Sequence, residues 1–173
     1  MMAPASYGVA LIRKGKVAKA IAPLRACIAF PGASGPKFRL PMLKAFLAEA
    51  LALAGDLGDA LQLIDEAIAQ VERPGWGERL HYAEILRLKG WVLSLKDDLE
   101  GAERNFLASL DWARRQQAKM WELRTSTSLA RLWQSQGKRQ DAYALLAPVY
   151  AWFTEGFDTR DLQDAKSLLA ELA

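Results

Sequence analysis

The stretch that decides the fold is LKAFLAEALALAGDLGDALQLI, Leu43 to Ile64. Leu43, Leu47, Leu51 and Ala54 stand at i, i+4, i+8 and i+11, the spacing that puts a stripe on one helical face. Gly55 ends that helix, because glycine accepts the left-handed conformation at little cost, and Asp56-Leu57-Gly58-Asp59 starts the next. Leu61, Ile64, Ala67, Ile68 and Val71 then form the apolar face of the second helix. The stretch spells a helix, a tight turn and a second helix.

The same frame occurs four times. A small residue, a helix break and an alanine recur as Gly8, Gly15, Ala20; Ala48, Gly55, Ala60; Gly90, Asp97, Ala102; and Ala130, Gly137, Ala142, with the alanines 40, 42 and 40 residues apart. Larger apolar residues keep register with them: Leu11, Leu51, Leu93 and Trp133 lie three after the small residue, and Leu24, Ile64, Phe106 and Leu146 four after the alanine. The small columns have a physical reason, since two helices pack closely only where one backbone can approach the other. The apolar stripe left on each hairpin is buried only by the next hairpin, which makes a stack. The expected fold is all-α, a right-handed superhelical solenoid of about four helix hairpins with units 3–30, 38–73, 78–118 and 119–153. Leu162, Ala165, Leu168, Leu169 and Leu172 give a last amphipathic helix, 159–172, read as a cap.

The links between units differ. Phe30-Pro31-Gly32-Ala33-Ser34-Gly35-Pro36 and Arg73-Pro74-Gly75-Trp76-Gly77 are rich in breakers, whereas Arg114-Arg115-Gln116-Gln117-Ala118-Lys119 contains neither proline nor glycine and is expected to be the tightest junction. At the start, Met1 and Met2 ahead of Ala3-Pro4 show no cap, and the first helix reads as the cut edge of an array.

Composition removes several classes of function. The 173 residues are 51% apolar and 25% charged, with no apolar run of membrane-spanning length. One cysteine, Cys27, and one histidine, His81, supply neither a disulfide nor a Cys/His zinc cage. Residues Met1 to Gly8 carry no secretory pattern, so a cytoplasmic location is the expectation. A net charge of +3 does not argue for nucleic acid. No GxxxxGK[ST] loop or paired metal-binding aspartate motif occurs, so no catalytic residue, cofactor or metal is assigned and the chain is read as a non-enzyme.

The columns resemble the tetratricopeptide repeat, in which a small residue, a turn glycine and a second-helix alanine recur. That repeat has about 34 residues, so the longer period here implies longer helices or loops. Leu86-Arg-Leu-Lys-Gly90, Ala113-Arg-Arg-Gln-Gln-Ala118, Trp121-Glu-Leu-Arg124, Ser128-Leu-Ala-Arg-Leu-Trp133 and Leu145 to Asp158 also resemble the C-terminal tail of large bacterial proteins. In those proteins an adenylate or guanylate cyclase or a DNA-binding domain precedes a signalling ATPase module. The resemblance covers roughly residues 80–173 and implies a regulatory tail without catalytic motifs of its own.

In such stacks the first helix of each hairpin lines the concave side. The inner-facing residues of the third and fourth units are then Glu84, Arg87, Trp91 and Ser94, and Arg124, Thr127, Arg131 and Gln134. Arginine forks match carboxylates and phosphates, and a half-exposed tryptophan offers a flat anchor, a combination enriched in binding hot spots. The competing reading pairs Arg87, Arg124 and Arg131 with Glu84, Glu122 and Glu49, and makes Trp91 core. The lysine and asparagine clamp of tetratricopeptide domains that grip a C-terminal carboxylate is absent: the matching positions are Ala5, Val9, Ala45 and Glu49. Cys27 shares a column with Ala67, Ser109 and Val149 and reads as core, His81 as a helix-end residue, and Asp97 and Asp98 as caps. Trp112, Trp121, Trp133 and Trp152 read as packing.

The functional expectation is a non-catalytic scaffold or regulatory tail that binds a protein or peptide, or another domain of a longer protein, along the concave groove. The alternative is a small-ligand sensor, for which a pocket closed on several sides near Trp91 and Arg131 is the distinguishing feature.

Overall fold

The computed structural model describes residues 4–29 and 39–173. The Phe30 to Pro36 link and the segment Met1 to Ala3 lie outside the described residues. Among the described residues the chain is all-α: α1 (Pro4–Arg13), α2 (Val17–Ala29), α3 (Leu40–Leu53), α4 (Leu57–Val71), α5 (Tyr82–Leu95), α6 (Leu99–Arg115), α7 (Lys119–Ser135), α8 (Arg139–Ala151) and α9 (Arg160–Leu172).

Five turns share one geometry. Gly15, Gly55, Asp97, Gln117 and Gly137 all have positive φ, from 53° to 93°. In each turn the next amide bonds to the carbonyl five residues back, at 2.8–3.0 Å: Lys16 to Leu11, Asp56 to Leu51, Asp98 to Leu93, Ala118 to Ala113 and Lys138 to Trp133. This closure satisfies carbonyls that a helix end leaves open. The α6–α7 junction, expected to be the tightest link between units, is as short as a hairpin turn, from Arg115 to Lys119, whereas α4 and α5 are joined from Val71 to Tyr82; Gln117 takes the left-handed conformation that glycine takes elsewhere. Asp98 caps α6 by accepting from the Gly101 amide at 2.9 Å, and Asp56 caps α4 by accepting from Asp59 at 3.4 Å.

Helices pack with their sequence neighbours, and α1, α3, α5, α7 and α9 also touch in series. Among the described residues no Cα atom of α2, α4, α6 or α8 comes within 8 Å of another helix of that set. The layer whose members meet lies on the inside of the curve, so the first helix of each hairpin faces the concave side and α9 extends that layer.

The small columns act as expected. A Cβ placed on Gly8 would fall 2.7 Å from Leu24 Cγ, and one on Gly90 would fall 2.8 Å from the Phe106 ring. Ala20, Ala48, Ala60, Ala102, Ala130 and Ala142 are fully buried. The core is a chain of clusters: one runs from α1 to α5, a second joins α5, α6 and α7, and a third joins α7, α8 and α9. Trp91 packs against the first two and Trp133 against the last two. Leu162, Ala165, Leu168 and Leu172 of α9 cover Leu123, Leu146 and Val149, the stripe that the fourth hairpin would otherwise leave open.

Candidate binding groove

The floor of the concave side is an ion network. Glu84, in the first turn of α5, is 1% exposed and takes Arg87 in a two-pronged bond, Nε and Nη2 each at 2.8 Å. Arg124 of α7 adds Nη1 at 2.9 Å to the same carboxylate. Burial pushes the Glu84 carboxyl up, but the Arg87 guanidinium, with Arg124 behind it, overcomes this and holds it below the usual carboxylate range. Burial likewise weakens the hold of Arg124 on its proton, and Glu84 only partly restores it.

Above this floor lies a cavity of about 410 Å³ bounded by residues of α1, α3, α5, α7 and α9, of the α1–α2 turn and of the start of α2. Its charged lining comprises Arg13, Glu49, Arg87, Arg124 and Arg131, and from α9 Arg160, Asp161 and Asp164. A second chamber of about 300 Å³, over Leu99, Phe106 and Leu132, shares Trp91, Ser128 and Arg131 with the first. Arg131 is exposed and makes no hydrogen bond or ion pair among the described residues.

The residues singled out from sequence have different fates here. Glu84 and Arg87 are buried and satisfied by each other, so Arg87 cannot be removed without cost to stability. Trp91 is half-buried and lines both chambers. Arg124 bonds Glu84 and faces Asp161, not Glu122, which instead accepts from Arg114 at 3.0 Å and Lys119 at 2.8 Å. Thr127 is buried and donates to the Leu123 carbonyl at 2.8 Å. Gln134 reaches Glu171 of α9 at 3.2 Å, and Ser94 donates to the Trp91 carbonyl. Glu49 pairs with Arg13 at 3.8 Å, which leaves Arg131 open. Sequence reasoning missed Arg13, Ser128, Arg160, Asp161 and Asp164; the last three lie on the polar face of α9, opposite its leucines.

The remaining candidates are structural in their contacts. Cys27, Ala67, Ser109 and Val149 are all buried, and the Ser109 hydroxyl lies 2.7 Å from the Ala83 carbonyl and 2.8 Å from Thr125 Oγ1. His81 precedes α5, with its ring edge-on to Trp121 at 6.4 Å; burial lowers its pKa. Trp112 is flanked by Arg79 and Arg115, and Trp133 donates to Glu103 at 2.8 Å. Trp152 is exposed, with Lys119 over its ring.

Solved structures share this architecture. One is a variant of the kinesin light chain nearly identical TPR-like repeats of Podosopora anserina, with a TM-score of 0.69 and 17% identity over 99% of this chain and 87% of that one. The fold is a tetratricopeptide-like solenoid. A second structure of those repeats matches at TM-score 0.65 and 16% identity, covering 98% of this chain and 83% of that one. BtubC (BKLC) from P. vanneervenii matches at TM-score 0.69 and 16% identity, covering 94% and 74%. No protein-family model and no curated protein sequence matches the chain. Among the described residues of this tetratricopeptide-like solenoid, no helix is long and apolar enough to cross a membrane.

Proposed function

We propose that the solenoid is a non-catalytic recognition domain that holds a segment of a protein partner along its concave groove. The observation that carries this reading is Arg131: an exposed guanidinium without a partner among the described residues, set beside Trp91 where two chambers join. A planar donor next to a flat apolar ring is the type of anchor that dominates binding energy at protein interfaces. The resemblance of residues 80–173 to the tails of bacterial cyclase and signalling-ATPase proteins supports a cytoplasmic regulatory role, with another domain of a longer protein as one source of the segment. Nucleic acid is not the proposed partner, because Arg114, Arg115 and Lys119 are engaged with Glu122, Asp111 and Trp112.

A photo-crosslinking residue at position 131 in α7 should trap the partner in extracts of the source cell, and one at position 104 on α6 should not. Equal trapping at both positions would rule out the concave face. A second reading is favoured by one feature: the larger cavity is walled by residues of several helices and, at about 410 Å³, falls in the size range of small-ligand sites. In that reading the domain senses a small ligand and changes its contact with an attached ATPase or cyclase. Heat-stabilisation of the isolated domain by a low-mass extract fraction would favour it.

A further inference from the structure

The ion pairs of the groove fall into two classes. On the floor, Glu84 holds Arg87 and Arg124 at 2.8–2.9 Å, away from water. Around the mouth the pairs are long: Arg124 Nε to Asp161 Oδ1 is 3.5 Å, Arg13 to Glu49 is 3.8 Å and Arg160 to Asp164 is 3.8 Å. Charge-assisted N–H···O bonds close to about 2.7–2.9 Å when well formed, so the mouth is paired by charge but not by good hydrogen bonds. Arg124 is pinned from below with its side chain 12% exposed, whereas that of Asp161 is 41% exposed and can turn to water.

We propose that the cavity is an anion site for the carboxylates of an acidic peptide segment, and that Asp161 is its resident competitor, displaced from Arg124 when the peptide carboxylate arrives. The inference rests on the concave-groove reading. It is a side-chain exchange and not a release of α9, because Leu162, Ala165, Leu168 and Leu172 stay buried against α7 and α8. Five arginines line the cavity against Glu49, Asp161 and Asp164, with Glu84 beneath, so five positive charges face four negative and the outward turn of Asp161 leaves three. The cavity continues past Trp91 and Arg131 into the second chamber, a path that suits an extended chain better than a compact anion.

The test is fluorescence anisotropy with labelled hexaglutamate, with hexaglutamine as the uncharged control. Wild type should bind hexaglutamate in a salt-sensitive way and ignore hexaglutamine. Asp161→Asn should tighten binding about threefold to tenfold, and Arg131→Gln should weaken it by a similar factor. Glu155→Gln removes the same charge outside the cavity and should change nothing. Asp161→Ser, with a melting curve for each variant, separates loss of competition from loss of folding. Unchanged or weaker binding by both Asp161 variants overturns the competitor role, as does an equal gain from Glu155→Gln. Displacement of hexaglutamate by equimolar pyrophosphate overturns the peptide in favour of a small anion. If no variant binds hexaglutamate while position 131 still crosslinks a partner, this inference fails and the groove reading stands; if both experiments fail, the groove reading fails with it.

Discussion

The Phe106 ring closes on the backbone of Gly90 so tightly that a methyl group there would lie 2.8 Å from two ring carbons and 3.0 Å from the Ala102 carbonyl oxygen. Alanine is the better helix former by about 1 kcal/mol. Overpacking a close-packed contact costs about 1–3 kcal/mol, and here the neighbours are a ring and a backbone, neither able to fold aside. Gly90→Ala should therefore destabilise the protein by about 1 kcal/mol in urea denaturation. A gain in stability would mean that the α5–α6 hairpin can splay.

Glu84→Gln leaves the Arg87 and Arg124 guanidiniums without their shared counter-charge. Breaking such a buried group typically costs about 3–5 kcal/mol. The native Glu84 carboxyl titrates below its unfolded value, so its stabilisation is complete above the ordinary carboxylate pKa and is lost as the pH falls through the lower folded value. Chemical denaturation of wild type and Glu84→Gln across acid pH should show the two stabilities converging as Glu84 protonates. A gap that stayed constant would exclude the charge as the cause.

His81 has the same sign. Burial favours its neutral form, so its folded pKa lies below the unfolded value of about 6.5. Its contribution is complete above that value and declines as the pH drops through the folded pKa. Replacing it with glutamine should flatten the stability profile just below about pH 6.5, where Glu84 remains ionised.

Gln117→Gly should stabilise the protein. Gln117 holds a φ of 53°, where a side chain costs about 1 kcal/mol that glycine avoids, and the gain should raise the melting temperature by about 2 °C. Asp97→Gly, at a φ of 64°, should gain less, since aspartate tolerates this conformation better.

The fold was readable because its cause is local and periodic: Gly8, Ala48, Gly90 and Ala130 must be small for the hairpins to close, and that need recurs at a nearly fixed interval. The groove was readable only in part. Inner-facing positions follow from helical phase, which found Arg131 and Trp91, but phase does not say which arginines are already taken. The Glu84 to Arg87 spacing of i, i+3 carried that signal within one helix. The attachment of Arg124 to the same carboxylate depends on how α7 sits against α5, and no spacing within either helix encodes it. Asp161 was hidden for a similar reason: the leucines of α9 announce a cap, while its acidic side has meaning only once α9 is placed beside α7.

The common turn has a further consequence. From α5 onward it recurs at Asp97, Gln117 and Gly137, every twenty residues, so the junction between hairpins is locally the same object as the bend within one. A duplication that copied a single twenty-residue segment would be accepted by the backbone at either joint. It would exchange inner and outer layers for everything downstream and carry the acids of α9 to the convex surface. The copying unit that keeps the groove is therefore the pair of helices, which is the forty-residue interval this chain uses.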